Sequence, residues 1–145
     1  VLVADCLPVL FAAPEGRAVG AAHAGWRGLA SGVPEATVVA LCEAAQCERA
    51  AVSAWMGACI GPTRFEVGAE VRAAFGPDLA ACFVPTGMPG KWRADLPALA
   101  RARLRALGLT RVAGGQWCTH SDPSRFFSFR RERVTGRMAA AVWIR

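Results

Sequence analysis

"VADCLP" (Val3–Pro8) and "AAHAGWRG" (Ala21–Gly28) decide how this sequence is read. Each is an apolar run broken by residues that packing does not demand: Asp5 and Cys6 in the first, His23, Trp26 and Arg27 in the second. The chain has two histidines, and one of them stands just before a turn punctuated by Gly25 and Gly28. Between the blocks, "PEGR" (Pro14–Arg17) has turn chemistry, so residues 7–12 and 18–24 read as two strands, the second returning along the first. Cys6 and His23, 17 positions apart, would then reach one rim of a strand-turn-strand unit. Zinc prefers thiolate and imidazole, and a catalytic zinc keeps three protein ligands and an exchangeable water. A buried thiol and a core histidine are the plainer reading of the pair, and spacing alone leaves both open.

Outward from these blocks, a helical pattern runs over 29–45, with the regular helix starting near Pro34, where a proline is tolerated. Residues 50–57 read as a strand and 68–75 as a short helix; 82–91, with two prolines and two glycines, reads as irregular. Residues 92–95 read as a strand, 96–107 as a helix and 110–117 as a strand, followed by the loop "CTHSDPSR". The terminal "FFSFRRERVTGRMAAAVWIR" reads as a hairpin about Thr135-Gly136, which would send one of Arg130 and Arg131 inward and the other outward. The mixture predicts one α/β or α+β domain over 1–145.

Composition excludes several classes. At 145 residues and 54% hydrophobic, the chain can bury a real core and is not disordered. No apolar run approaches the roughly 18–20 residues of a membrane span, so no membrane partner is expected. "VLVADCLPVLFAAP" lacks a basic leader, contains Asp5 and Pro8 and begins with Val; it reads as an interior piece of a longer protein rather than a signal peptide. Six cysteines without a C-x-x-C pair, in a chain too large to need staples, point to reduced thiols and the cytoplasm. The net charge of +6 gathers in arginines at 101–105 and 125–137. Without a nucleic-acid module, a small anion is the favoured partner over nucleic acid, beside the plain alternative of a solvated arginine surface.

Seven blocks then coincide in order: "ADCLPVL", "AAHAGWRGL", "GACIGP", "FEVG", "CT", "FFSFRR" and "TGRMAAAVWI". Together they resemble the laccase-domain family, also called YfiH-like or purine nucleoside phosphorylase laccase-like, from Val3 to Ile144. The resemblance implies a layered α-β-β-α mixed-sheet fold related to the catalytic domain of cytotoxic necrotising factor. It also implies a zinc site of one cysteine and two histidines, with Cys6 and His23 as two ligands. The remaining histidine is expected upstream, in a segment of the family domain that residues 1–145 lack. His120 is read as a loop residue rather than the third ligand.

Around that site, Arg27, Arg130 and Arg131 are candidates for a phosphate, since a guanidinium fork matches its oxygens. Cys118 is a candidate pocket residue or a packed thiol. Asp5 either orients a ligand or caps a turn, Glu66 reads as structural, and Trp26 reads as packing more than as a stacking platform. The resemblance implies phosphorolysis of adenosine, inosine, guanosine and methylthioadenosine, and deamination of adenosine. A hydrolase editing peptidoglycan precursors is the second enzymatic reading. Polyphenol oxidation ranks last, because a multicopper centre needs many imidazoles and the chain has two. A structural zinc module or a basic nucleic-acid binder is the non-enzymatic alternative.

Overall fold

The computed structural model describes Val1–Arg145. After the short strand β1 (Leu2–Val3), β2 (Leu7–Ala12) and β3 (Val19–Ala24) form the expected antiparallel pair, with Pro8 opposite His23 and Leu7 opposite Ala24. β4 (Ser53–Met56) joins the other side of β2 antiparallel, and β8 (Arg111–Gly114) adds to β4 in parallel. The resulting sheet has the order β3-β2-β4-β8.

Alternation along these strands sorts the sheet into two faces. Leu7, Val9, Phe11, Ala22, Ala24, Ala54 and Met56 are all buried. The residues between them include Ala21, His23 and Trp55, which are exposed. The buried face meets α2 (Val33–Ala45) and α4 (Leu96–Ala106), whose Val38, Leu41, Leu99 and Leu104 enter the same core. Arg103 and Glu35 form an ion pair between these two helices. Asp95 starts α4 by accepting the Ala98 amide at 2.9 Å, a cap worth about 1 kcal/mol.

The helix expected over 29–45 is divided. A short α1 (Trp26–Ala30) precedes α2, and Gly32 between them takes a left-handed φ of 86°. The 82–91 stretch is not wholly irregular. β6 (Phe83–Pro85) pairs with β7 (Lys91–Ala94), which also pairs with β5 (Glu66–Gly68), before α3 (Ala69–Ala73). Pro85 is acceptable there because β6 is an edge strand, and Phe83 anchors it in the core.

The terminal hairpin is not formed. Ser128, fully buried, accepts the Arg131 amide at 3.2 Å and caps the single turn α5 (Phe129–Glu132). Beyond it, β9 (Met138–Ala139) pairs with β1 instead of folding back locally. A capping serine ahead of the arginines outweighs the turn signal of Thr135-Gly136. No helix is long and apolar enough to cross a membrane.

Candidate functional site

Cys6 and His23 do come together at one end of the β2/β3 pair. Cys6 lies just before β2, and its sulfur sits over Gly25, where an added Cβ would be only 2.7 Å from Sγ. His23 pairs with Pro8, two residues after Cys6. The two are thus diagonal cross-strand neighbours, a relationship that spans roughly 7–8 Å between backbones. Cys6 is half-buried and His23 exposed. Gly25 is required by this approach, and Gly28 by another: a Cβ on Gly28 would meet the His23 carbonyl oxygen at 2.8 Å.

Asp5 holds Cys6 in place. Its backbone takes φ 89°, unusual for a residue other than glycine, and its side chain is almost fully buried. The carboxylate accepts the Thr119 hydroxyl and the Arg130 amide, each at 2.6 Å. The Asp5 carbonyl also accepts the Ile60 amide at 2.9 Å. Asp5, Thr119 and Ser128 are the buried polar residues of the chain, and all three lie in this one knot. Buried polar groups need partners, and here they tie the strand start, the "CT" loop and α5 to the position of Cys6.

Burial pushes the Cys6 thiol above its ordinary value, the neighbouring Asp5 carboxylate adds to this, and Arg137 opposes it. Arg137, in the "TGRM" block, acts on the thiol only through its charge, its guanidinium donating to the Thr135 and Gly136 carbonyls; the sequence singled it out only as one of a basic cluster. Beside Cys6 opens a cleft of about 150 Å³ lined by Gly25, Trp26, Phe65, Phe129 and Arg130 among others. Phe65, Phe129 and Gly25 were not foreseen as lining residues, although each lies inside a quoted block.

The arginines separate by role. Arg130 borders the cleft; its guanidinium lies 5.5 Å from the Phe65 ring and donates to the Glu66 carbonyl at 2.8 Å. Arg131 is instead spent on backbone, donating to the carbonyls of Thr119, His120 and Phe126 at 2.8–3.0 Å. The two are neighbours on a helical turn, so the inward-outward alternation of a strand does not apply. Arg27 is exposed and stacks over Trp26, 4.4 Å from the ring centre. Glu66 contributes a strand position and its carbonyl, as a structural residue does.

Cys118 borders a second cleft, of about 500 Å³, with Arg101, Arg105 and Trp117. Burial acts to raise its pKa, but the Ser121 hydroxyl and the amides of Gly61, Ser121 and His120 outweigh it and hold the thiol below its ordinary value. The Gly61 amide donates to its sulfur at 3.2 Å. His120 does not join Cys6 and His23, and no three His, Cys, Asp or Glu residues stand together as a complete metal set. Thiolate and imidazole, the donor types at the sheet end, fit two positions of a zinc centre.

All of residues 1–145 match the family described as multi-copper polyphenol oxidoreductase laccase. A Pseudomonas aeruginosa protein named a purine nucleoside phosphorylase is 50% identical over 147 residues, covering 99% of this chain and 59% of its own length. The Escherichia coli K12 protein named purine nucleoside phosphorylase YfiH is 48% identical, covering 99% and 58%. Among solved structures, a Neisseria meningitidis protein superposes with a TM-score of 0.93 at 46% identity, covering 99% of this chain and 59% of that one. Bacillus licheniformis YfiH superposes at 0.86 and 30% identity, covering 94% and 53%. The chain thus spans a little over half the length of these relatives. Its mixed α/β fold and its motif blocks agree with the match along its whole length, and the chain belongs to the multi-copper polyphenol oxidoreductase laccase family.

Proposed function

We propose that the protein is a purine nucleoside phosphorylase in which Cys6 and His23 are two of three ligands to zinc. The observation that carries this is the strand register: Pro8 opposite His23, and Cys6 over Gly25, bring the two soft donors to one rim. The names of the relatives support the substrate class. The third ligand is proposed to be a histidine outside residues 1–145. When bound, zinc supplies a Lewis acid and an activated water.

The chain's own residues supply the rest. Asp5 fixes the thiol through Thr119 and the Arg130 amide, so the ligand is set before any metal arrives. Arg130 at the cleft and Arg27 beside Trp26 offer guanidinium forks to phosphate, whereas Arg131 serves as a structural tie. Phosphate held there would attack the ribose carbon as the purine departs, and a protonated group must then meet the departing base. Deamination of adenosine at the same site is the second proposed activity, in a reducing cytoplasm that suits six free thiols.

The test pairs two rates on one variant of the full-length protein. Arg130→Lys keeps the charge and removes the fork, so inosine phosphorolysis should fall at least tenfold with a raised KM for phosphate. Adenosine deamination, which uses no phosphate, should fall far less. Equal loss of both rates, or of neither, would contradict the phosphate role.

A further inference from the structure

The end of α2 carries two cysteines in a relationship that the proposed function does not use. Gln46 takes a left-handed φ of 49°, and the Cys47 amide reaches back to the Cys42 carbonyl at 3.1 Å. This is the six-to-one closure of a Schellman turn, which places the side chains of its first and last residues against each other. Those residues usually make an apolar contact; here they are two thiols. Both are half-buried and both are reduced, and burial first, then the neighbouring Cys47 thiol, push the Cys42 pKa above its ordinary value. The turn is also reinforced by the Gln46 side chain, which donates to the Glu43 carbonyl at 2.6 Å.

The pair is remote from Cys6. Gly20, at the start of β3, lies against Thr37 and Leu41 of α2, whereas Cys6 lies against Gly25 beyond the other end of that strand. The contrast with Cys59 is also informative. Cys59 pairs with Cys118 across an isolated bridge, but it is fully buried and closed to reagents.

We infer that Cys42 and Cys47 form a vicinal dithiol, a modification site that peroxide converts to an intramolecular disulfide and that trivalent arsenicals bridge. In the first step one cysteine sulfur attacks a peroxide oxygen. An S–O bond forms, the O–O bond breaks, the thiol proton leaves with the departing oxygen, and a sulfenic acid and water result. In the second step the other sulfur attacks the sulfenic sulfur. The S–S bond forms, the S–O bond breaks, and the oxygen departs as water with the second thiol proton. Two thiols and one hydrogen peroxide give one disulfide and two waters. The turn holds the sulfurs together beforehand, so the second step needs no rearrangement of the fold.

The test uses the full-length protein under native conditions. Both cysteines fall within Gly28–Arg49, which contains no other lysine, arginine or cysteine before its terminal Arg49, so trypsin releases them in one peptide. After peroxide treatment and alkylation, that peptide should carry no alkyl groups and be lighter than its reduced form by two hydrogens. Phenylarsine oxide should bind the untreated protein, and both Cys42→Ser and Cys47→Ser should lower the stoichiometry by one per chain. The turn closes through the Cys47 amide and the Cys42 carbonyl, which serine retains, so loss of arsenical binding in a variant with unchanged circular dichroism reports the thiols and not the fold. A peptide that remains alkylated on both cysteines, or arsenical binding indifferent to both substitutions, would overturn the assignment.

Discussion

The carboxylate of Asp5 accepts the hydroxyl of Thr119 at 2.6 Å, joining the residue before Cys6 to a loop 114 positions away. The other carboxylate oxygen takes the Arg130 amide at the same distance. A charged, buried acceptor with two donors is costly to disturb. Thr119→Val should destabilise the protein by about 1–3 kcal/mol in denaturant unfolding. Asp5→Ala should cost more, because it leaves both donors buried without a partner. Changes below about 0.5 kcal/mol in both variants would mean that the knot is not a structural tie.

Gly25→Ala is a clean steric probe of the candidate metal site. Gly25 has φ −63°, so alanine meets no backbone strain, but its Cβ would lie 2.7 Å from the Cys6 sulfur. The substitution should displace the thiol, reducing zinc content and nucleoside turnover together while far-UV circular dichroism is preserved. Full zinc content and full activity in this variant would place the working thiol elsewhere.

Arg131→Lys should behave differently from Arg130→Lys. A lysine cannot reproduce a guanidinium that reaches three separate carbonyls, so unfolding stability should drop by about 1–3 kcal/mol. The KM for phosphate should stay within twofold of the parent in the folded fraction. A selective rise in that KM with unchanged stability would return Arg131 to the anion site.

Cys118 should be the thiol that stays reactive at the lowest pH. Its pKa is depressed, so its thiolate persists at pH values where an ordinary thiol is protonated, and alkylation slows only as pH falls through that lowered value. Burial pushes Cys6, Cys42, Cys59 and Cys82 the other way. Timed iodoacetamide labelling from pH 6 to 9 with peptide mapping should show Cys118 leading at the acidic end. Labelling of Cys42 or Cys82 ahead of it at that end would contradict the hydrogen-bonding account.

The β2/β3 pair was legible because alternation and the "PEGR" turn agree, and that pair alone brings Cys6 and His23 together. The family blocks marked Arg130 and Arg131 equally; only the Ser128 cap, which turns that segment into a helical step, tells them apart. A serine ahead of "FRRE" is a readable cap signal, but the Thr135-Gly136 turn competed with it. Asp5 could not be resolved from sequence, since its partners Thr119 and Arg130 lie more than 100 positions away. The Cys42/Cys47 contact was hidden for a different reason: it depends on Gln46 adopting a left-handed φ, which a non-glycine residue does not announce.

Zinc-edge X-ray absorption on the full-length protein tests the central claim most directly. With Cys6 and His23 as ligands, the spectrum should fit about one sulfur near 2.3 Å and nitrogen or oxygen neighbours near 2.0–2.1 Å. Cys6→Ser should remove the sulfur shell and lower the bound zinc. A parent spectrum without sulfur, or a sulfur shell that survives Cys6→Ser unchanged, would contradict the assignment.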